Sequence, residues 1–485
     1  MDAVIIGSGL SGLTTAAFLT KQGFRTTLLE QHYQPGGYAH NFSRRGYRFE
    51  AAIHTAPLAR TGVLFSLFEQ LGIADAITTV RQDEMFRVKS GDKEYCIPHD
   101  PAHIRQALYD YFPEEKPGLD RFFADLEEVY THMFTLFTPD KKGYPDKDPG
   151  FARKFQGQSY ASYLAETFAG EEIQQVLGGQ WPYVGIPPQR GSRLFLTMLF
   201  ATHYFNGSHS IRGGFSTLVD ALLECIERGG GQVVLKEEVS SINIENKYAR
   251  GVYTTSDRYY EADLVVADCN PYLLHHTLIP EQWQSKRFHR RLSLLQPSLS
   301  SVAVYLGMKP GYEEYVQGNV ILWYDDMACQ EELYTYTRNK TPYQGDYLMI
   351  LNPREPLGEK PVLTLLTFAD QKQNTQWKSE KERVGQKMVD ALCSLYPGLE
   401  AYIDLIETGS PDTFYRYTRN EEGAIYGFEN SCEPFQETKL SYTTHIKNLY
   451  QCGHWSLPGC GVYNVITNGY TVAKQIQQDR DNGKI

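Results

Sequence analysis

The chain of 485 residues contains eight cysteines but no Cys-x-x-Cys pair, and no His/Cys cluster has zinc spacing. The thiols at 96, 225, 269, 329, 393, 432, 452 and 460 therefore predict mostly reduced, buried side chains in a cytoplasmic protein, with no disulfide framework and no metal site. No stretch approaches the about 18 apolar residues of a membrane-spanning helix. The nearest, Leu194 to Phe205, is interrupted by Thr197, Thr202 and His203. This argues against a spanning helix while leaving room for peripheral membrane contact. A net charge of −11 and the lack of a Lys/Arg block argue against nucleic acid as a partner. Gly-x-Ser-x-Gly is missing, so hydrolytic chemistry has no support. No internal repeat and no low-complexity tract interrupts the chain.

What is present is concentrated at the start. Asp2 to Ile6 is a short apolar run of the kind that forms a buried parallel strand. Gly7-Ser8-Gly9-Leu10-Ser11-Gly12 follows at once and fits G-x-G-x-x-G. A helical pattern over Leu13 to Lys21 and a second strand over Phe24 to Leu29 come next, ending on Glu30. Strand, turn, helix, strand and acid together make a dinucleotide-binding fingerprint. Gly7 permits the tight turn, Gly9 lets backbone approach a pyrophosphate, and Gly12 lets the helix pack on the sheet. Free N–H groups at the helix N-terminus suit phosphates, and Glu30 suits a ribose diol. Because the fingerprint starts at residue 2, no removable leader is expected.

The rest of the chain returns to this theme twice. Arg212-Gly213-Gly214-Phe215 precedes a helix over Ser216 to Glu227 and a strand over Gln232 to Leu235. A meander over Val239 to Ile244 and Gly251 to Thr255 leads to a buried strand at Ala262 to Ala267. At the far end, a strand over Asn448 to Cys452, a glycine-rich loop and a helix over Gly461 to Gln478 repeat the pattern. A hairpin is expected over Phe42 to Phe49, a helix over Pro117 to Phe137, a polar loop over Pro139 to Pro149 and a helix over Lys381 to Tyr396. Strands are expected at Ser301 to Leu306, Tyr347 to Leu351 and Val362 to Phe368. A second glycine loop and helix N-terminus can serve another polar part of one long cofactor, which points to FAD. The expected fold is α/β: a Rossmann-like FAD-binding domain of the glutathione reductase/amine oxidase type, formed by 1–75, 206–275 and 420–485. It is interleaved with a mixed α+β substrate-binding domain formed by 76–205 and 276–419. The 34 tyrosines suit the walls of a large organic pocket or simply Tyr-rich strands.

These residues resemble the FAD-dependent amine oxidase-like superfamily, and within it the retinol saturase, carotenoid isomerase and phytoene desaturase group. The likeness rests on the glycine unit, on Leu29-Glu30-Gln31-His32, and on Pro35-Gly36-Gly37 with His40, Phe42, Gly46, Phe49 and Ile53-His54. It extends to Arg212-Gly213-Gly214, Cys452-Gly453 and Pro458-Gly459-Cys460-Gly461-Val462. Relatives commonly carry a glycine near Glu50-Ala51-Ala52, Gly-Asp where this chain has Gly453-His454, and a glycine in place of Cys460. The resemblance implies FAD contacts from Gly7, Ser8, Gly9, Leu10, Ser11, Gly12, Glu30, Gln31, Gly36, Gly37, His40, Arg212, Gly453, His454, Gly461 and Val462. It also implies a backbone contact from Val239 to adenine. His54 is expected near the flavin ring, where an imidazole can move a proton, orient substrate or be structural. His203 and Tyr204, after the apolar helix, either line a substrate tunnel or end a core helix. His454 and Tyr463 are candidates for the isoalloxazine edge.

The activity implied is an FAD-dependent oxidoreductase that desaturates or saturates C–C bonds of a long apolar substrate, a polyene, isoprenoid or acyl chain, by hydride transfer at flavin N5. A redox-neutral cis/trans polyene isomerase on reduced FAD carries the same motifs, and so does an amine or amino-acid oxidase. A prenyl- or lipid-binding protein of the Rab GDP-dissociation inhibitor kind shares the fold, but the intact glycine motif with Glu30 argues against it. A single dinucleotide fingerprint gives no separate NAD(P)H site. Oxygen, a quinone or another protein remains as electron acceptor or donor.

Overall fold

The computed structural model describes residues 1–136, 149–339, 343–371, 376–433 and 440–485. Four apolar residues in a row after Asp2 form β1 (Asp2–Ile6), buried on both faces as a central parallel strand must be. β2 (Arg25–Glu30), β3 (Gln232–Leu235), β4 (Leu264–Ala267) and β5 (Leu449–Gln451) join it in one sheet of order β5-β4-β1-β2-β3. Every pairing in that sheet is parallel, with Ile6 opposite Leu29 and Ala267. The strands come from the start, middle and end of the chain, so their C-terminal ends converge on one edge. Ligands bind at this edge in open α/β sheets.

Three helices cover the sheet: α1 (Leu10–Lys21), α2 (Ser216–Arg228) and α3 (Val462–Asp481). The first helix begins at Leu10, not Leu13, because the turn needs only Gly7-Ser8-Gly9. The earlier start brings the N–H groups of Leu10 and Ser11 to the sheet edge. α1 and α3 pack backbone to backbone: a Cβ on Gly469 would lie 2.5 Å from the Ser11 carbonyl oxygen. The Ser11 hydroxyl donates to Asn468 Oδ1 at 2.6 Å, and the Gly453 N–H donates to the same oxygen at 2.8 Å. Asn468 thus ties the two ends of the chain into one surface.

The second sheet has seven strands, in the order Ile403–Gly409, Ser300–Met308, Val362–Ala369, Tyr347–Leu351, Val320–Tyr324, Glu84–Ser90 and Lys93–Pro98. Met349 pairs with Leu366 across antiparallel strands, and Leu351 follows on the same face of its strand. The expected hairpin is present as Asn41–Arg44 and Tyr47–Glu50. The meander gains a third strand, Tyr259–Glu261. The helix expected from Lys381 starts earlier, at Trp377, whose buried ring anchors its first turn. The helix expected over Pro117 to Phe137 spans Lys116–Leu136, while Phe137 and the polar loop from Pro139 to Asp148 fall outside the described residues. No disulfide forms. Only Cys452 and Cys460 are buried, and the other six thiols are half-buried, so the expectation of mostly buried cysteines fails. Among the described residues no helix is long and apolar enough to cross a membrane, and no cluster could hold a metal ion.

Candidate functional site

A cavity of about 560 Å³ opens along the edge where β1, β2, β4 and β5 end. Its polar side is built from the dinucleotide unit. Gly7 adopts φ +97°, and a side chain there would collide with the Asp268 carbonyl oxygen. A Cβ on Gly9 would sit 2.6 Å from Asp268 Oδ2. Both positions therefore require glycine for the turn to sit this close to β4. The N-cap of α1 carries no side-chain cap. Asp268 takes the Gly12 N–H of the first turn, and the Leu10 and Ser11 end of this twelve-residue helix lines the cavity as a site for phosphate oxygens.

Glu30 ends β2 in the same cavity. Its Oε2 accepts from the Ser8 N–H at 2.9 Å and the Ser8 hydroxyl at 2.6 Å, and Oε1 accepts from the His32 N–H at 2.8 Å. These bonds fix the carboxylate, and a carboxylate has lone pairs left for a diol. Val239, Glu237 and Glu238 line the cavity beyond Glu30, with Leu273, Thr277 and Leu278 around a π-helical turn at Leu274–Leu278. Gly36, Gly37, Gln31, His40, Gly453, His454, Gly461 and Val462 line it as well. Residues 2–40 and 453–462, far apart in sequence, thus share one wall.

The opposite wall is apolar. Met349, Leu351 and Leu366 of the seven-stranded sheet face the cavity with Ile425, Phe414, Tyr183 and Tyr426. The Tyr426 hydroxyl donates to the Pro182 carbonyl at 2.8 Å, which turns its polar tip away and leaves ring surface. His54 lines the cavity, next to Ala51-Ala52-Ile53. Burial pushes its pKa down to about 3, so the imidazole is neutral, and its Nε2 is buried without a hydrogen-bond partner. His40 is likewise held below the usual imidazole range by burial.

Several expected residues stand elsewhere. Arg212 is exposed and forms a two-bond pair with Glu355 at 3.1 Å, so it faces solvent and does not line the cavity. His203 and Tyr204 do not line the cavity. The helix Arg193–Asn206 points His203 back toward its own Leu199 carbonyl at 3.0 Å, behind Tyr183. It also points the Tyr204 hydroxyl to Arg105 Nε at 2.7 Å. Gly12 lies under the turn, where its N–H donates to Asp268 Oδ2 at 2.8 Å. Tyr463 turns into the core with its hydroxyl unpartnered.

One acid lining the cavity, Asp268, escaped the sequence reading, and Glu50, noted there only for the missing glycine beside it, braces the site from outside the lining. Asp268 follows β4 and touches the glycine turn; burial, with Glu30 adding to it, raises its pKa to about 7. The available signal was its place at the end of a buried strand. Glu50 pairs across the hairpin with Asn41 and accepts from the Phe215 N–H at 2.8 Å. Burial raises it to about 8, so it is neutral and braces the loop that carries Ala51 to His54.

A parallel sheet with a glycine turn, an acid-ended second strand and a C-terminal loop completing the same cavity defines a dinucleotide-cofactor oxidoreductase fold. Residues 10–477 match the family of flavin containing amine oxidoreductases, and the chain belongs to that family. It is similar to the all-trans-retinol 13,14-reductase of Danio rerio, 24% identical over 523 residues covering 98% of this chain and 86% of that protein. It is also similar to a 4,4'-diapophytoene desaturase (4,4'-diapolycopene-forming) of Methylomonas sp, 22% identical over 98% of this chain and 95% of the relative. In fold it matches an oxidoreductase from Methanosarcina mazei with a TM-score of 0.69 at 19% identity, over 98% of this chain and 100% of that one. The protein is an FAD-dependent oxidoreductase. The glycine cradle, the open N-terminus of α1 and the Glu30 carboxylate fit that cofactor.

Proposed function

We propose that this enzyme desaturates or saturates a C–C bond in a long apolar chain, a polyene or isoprenoid. The observation that carries the reading is the wall formed by Met349, Leu351, Leu366, Ile425 and the Tyr183 and Tyr426 rings, which faces the cofactor-binding edge across one cavity. The names of the similar proteins, a retinol reductase and a diapophytoene desaturase, support it. Segments 1–75, 206–275 and 420–485 carry the cofactor in this reading, and 76–205 with 276–419 supply the substrate wall.

Bound FAD supplies hydride exchange with a substrate carbon at its N5. The chain's own residues do the rest. Gly7, Ser8, Gly9, Leu10, Ser11 and Glu30 hold the nucleotide end, with Gly12 packed beneath them. Gln31, Gly36, Gly37, His40, Val239, Gly453, His454, Gly461 and Val462 close around the cofactor. The apolar wall excludes water and aligns the substrate chain. His54, being neutral, cannot deliver a proton from an imidazolium; it orients substrate through a hydrogen bond.

The test is anaerobic mixing of the oxidised holoenzyme with isoprenoid, polyene and amine candidates while flavin absorbance is followed. Bleaching by an apolar chain, with a product two daltons lighter, is the expected result for the desaturation direction. For saturation, the reduced enzyme regains its absorbance when it meets an unsaturated chain. Response only to amines would overturn the reading, and turnover without a mass change would make the enzyme an isomerase.

A further inference from the structure

We propose that Asp268 is a cofactor-binding residue that meets the FAD diphosphate as a neutral carboxylic acid, so that binding FAD draws one proton from solvent. The carboxyl group sits at the wall of the cavity, beneath the turn that cradles the cofactor. Its Oδ2 accepts from the Gly12 N–H at 2.8 Å. Cβ atoms added at Gly9 and Gly453 would lie 2.6 and 2.5 Å from its two oxygens. The group is therefore wedged between the two glycine loops that come from opposite ends of the chain. It shares the first turn of α1 with whatever anion binds there.

The charges around it are one-sided. The described residues lining the cavity include four carboxylates, Glu30, Glu237, Glu238 and Asp268, against one guanidinium, Arg419. That guanidinium already lies 3.7 Å from Glu238. The Gly7–Gly12 turn brings no ionisable side chain to Asp268. Glu30 faces it from the end of β2, Cys269 adjoins it, Cys452 faces it from just after β5, and His454 follows Gly453 in the loop above. No cation is among the groups acting on the carboxyl. A diphosphate brings two negative charges into this acidic, partly desolvated place. An ionised Asp268 beside it would repel it and compete for the α1 N–H groups. A protonated Asp268 removes that charge and offers a donor. Without FAD the group already titrates near neutrality, at about 7, and the added anion raises it further.

The sign follows. Below about pH 7 both forms of the protein carry the proton and affinity is flat; above it, affinity falls about tenfold per pH unit until the bound form also ionises. The experiment is FAD titration of the full chain stripped of flavin, read by flavin fluorescence between about pH 6 and pH 9. Calorimetry at alkaline pH in buffers of differing ionisation heat counts the protons. The expected result is uptake of close to one proton and a falling affinity in the native protein, both abolished in Asp268→Asn. Native protein that takes up no proton and binds FAD equally at both ends of the range would overturn the proposal. So would an Asp268→Asn variant that keeps the slope, which would assign it to His454 or another group. If the variant does not fold, the proton count on the native protein decides alone. None of these readouts depends on the substrate.

Discussion

The two walls of the cavity are built by different means. The wall at the parallel sheet is built on tight backbone turns at Gly7, Gly9 and Gly453 and on the first turn of α1, with the Glu30 and Asp268 carboxyls set among them. The facing wall is made of side chains, with Met349, Leu351 and Leu366 from a second sheet, Tyr183 from the short helix Trp181–Tyr183 and Tyr426 from a loop. The first kind of wall tolerates little substitution, because a Cβ on Gly7 would meet the Asp268 carbonyl and one on Gly9 or Gly453 would meet the buried Asp268 carboxyl. A side-chain wall can change its contents while the sheet beneath stays paired. The first wall therefore specifies the cofactor, and the second is free to specify the substrate.

The sharpest way to break this comparison is Gly7→Ala. Its φ of +97° disfavours any side chain, and the new methyl would meet the Asp268 carbonyl oxygen rather than a flexible side chain. We expect a loss of about 1–3 kcal/mol of stability from backbone strain alone, and purified protein without flavin absorbance. Denaturant unfolding and a visible spectrum measure both. A variant that retained full flavin content would show that the wall is not backbone-limited.

Next comes Met349→Trp on the opposite wall. The indole would take cavity space beside Leu366 that an apolar chain would occupy. A misfit of even one methylene in a hydrophobic pocket is worth about 1–3 kcal/mol, about 10- to 200-fold. The loss should fall on the rate of anaerobic flavin reduction by whichever apolar chain bleaches the native enzyme. Flavin content should stay unchanged. If flavin is lost instead, the two walls are not separable.

The same contrast decides how much was readable in advance. The cofactor wall is local: β1, the turn, α1, β2 and Glu30 occupy thirty consecutive residues, and each leaves a mark in composition or spacing. The strands at 232–235 and 347–351 were legible to the residue, because short apolar runs bounded by glycine or polar residues have few other options. Asp268 was not legible, since one acid after a buried strand looks like a strand end until the fold brings it under Gly9. Asn468 was hidden in the same way, in the middle of a helix. The substrate wall left little trace, because Tyr183, Met349, Leu366 and Tyr426 converge only through long-range pairing. His203 and Tyr204 misled for a physical reason: an apolar helix buries all its faces, and its pattern does not tell which face meets a cavity.

Arg212 is where the expected effect is smallest and the inference from sequence most exposed. A basic residue beside two glycines before a helix has the look of a phosphate contact. The hairpin edge at Asn41 and Glu50 instead closes over Gly213 and Gly214, with the Asn41 amide donating to the Gly213 carbonyl at 3.1 Å. This pins the glycine pair against the hairpin and leaves the Arg212 side chain outside, on Glu355. A fully exposed ion pair of this kind is screened by solvent and adds little to stability. Arg212→Ala should therefore leave FAD affinity within about twofold of native and leave the denaturant midpoint essentially where it is. Fluorescence titration and a denaturant curve are sufficient. A large drop in FAD affinity would mean that Arg212 swings inward when the cofactor binds and adds a basic clasp to the acidic Glu30 and Asp268 side of that wall.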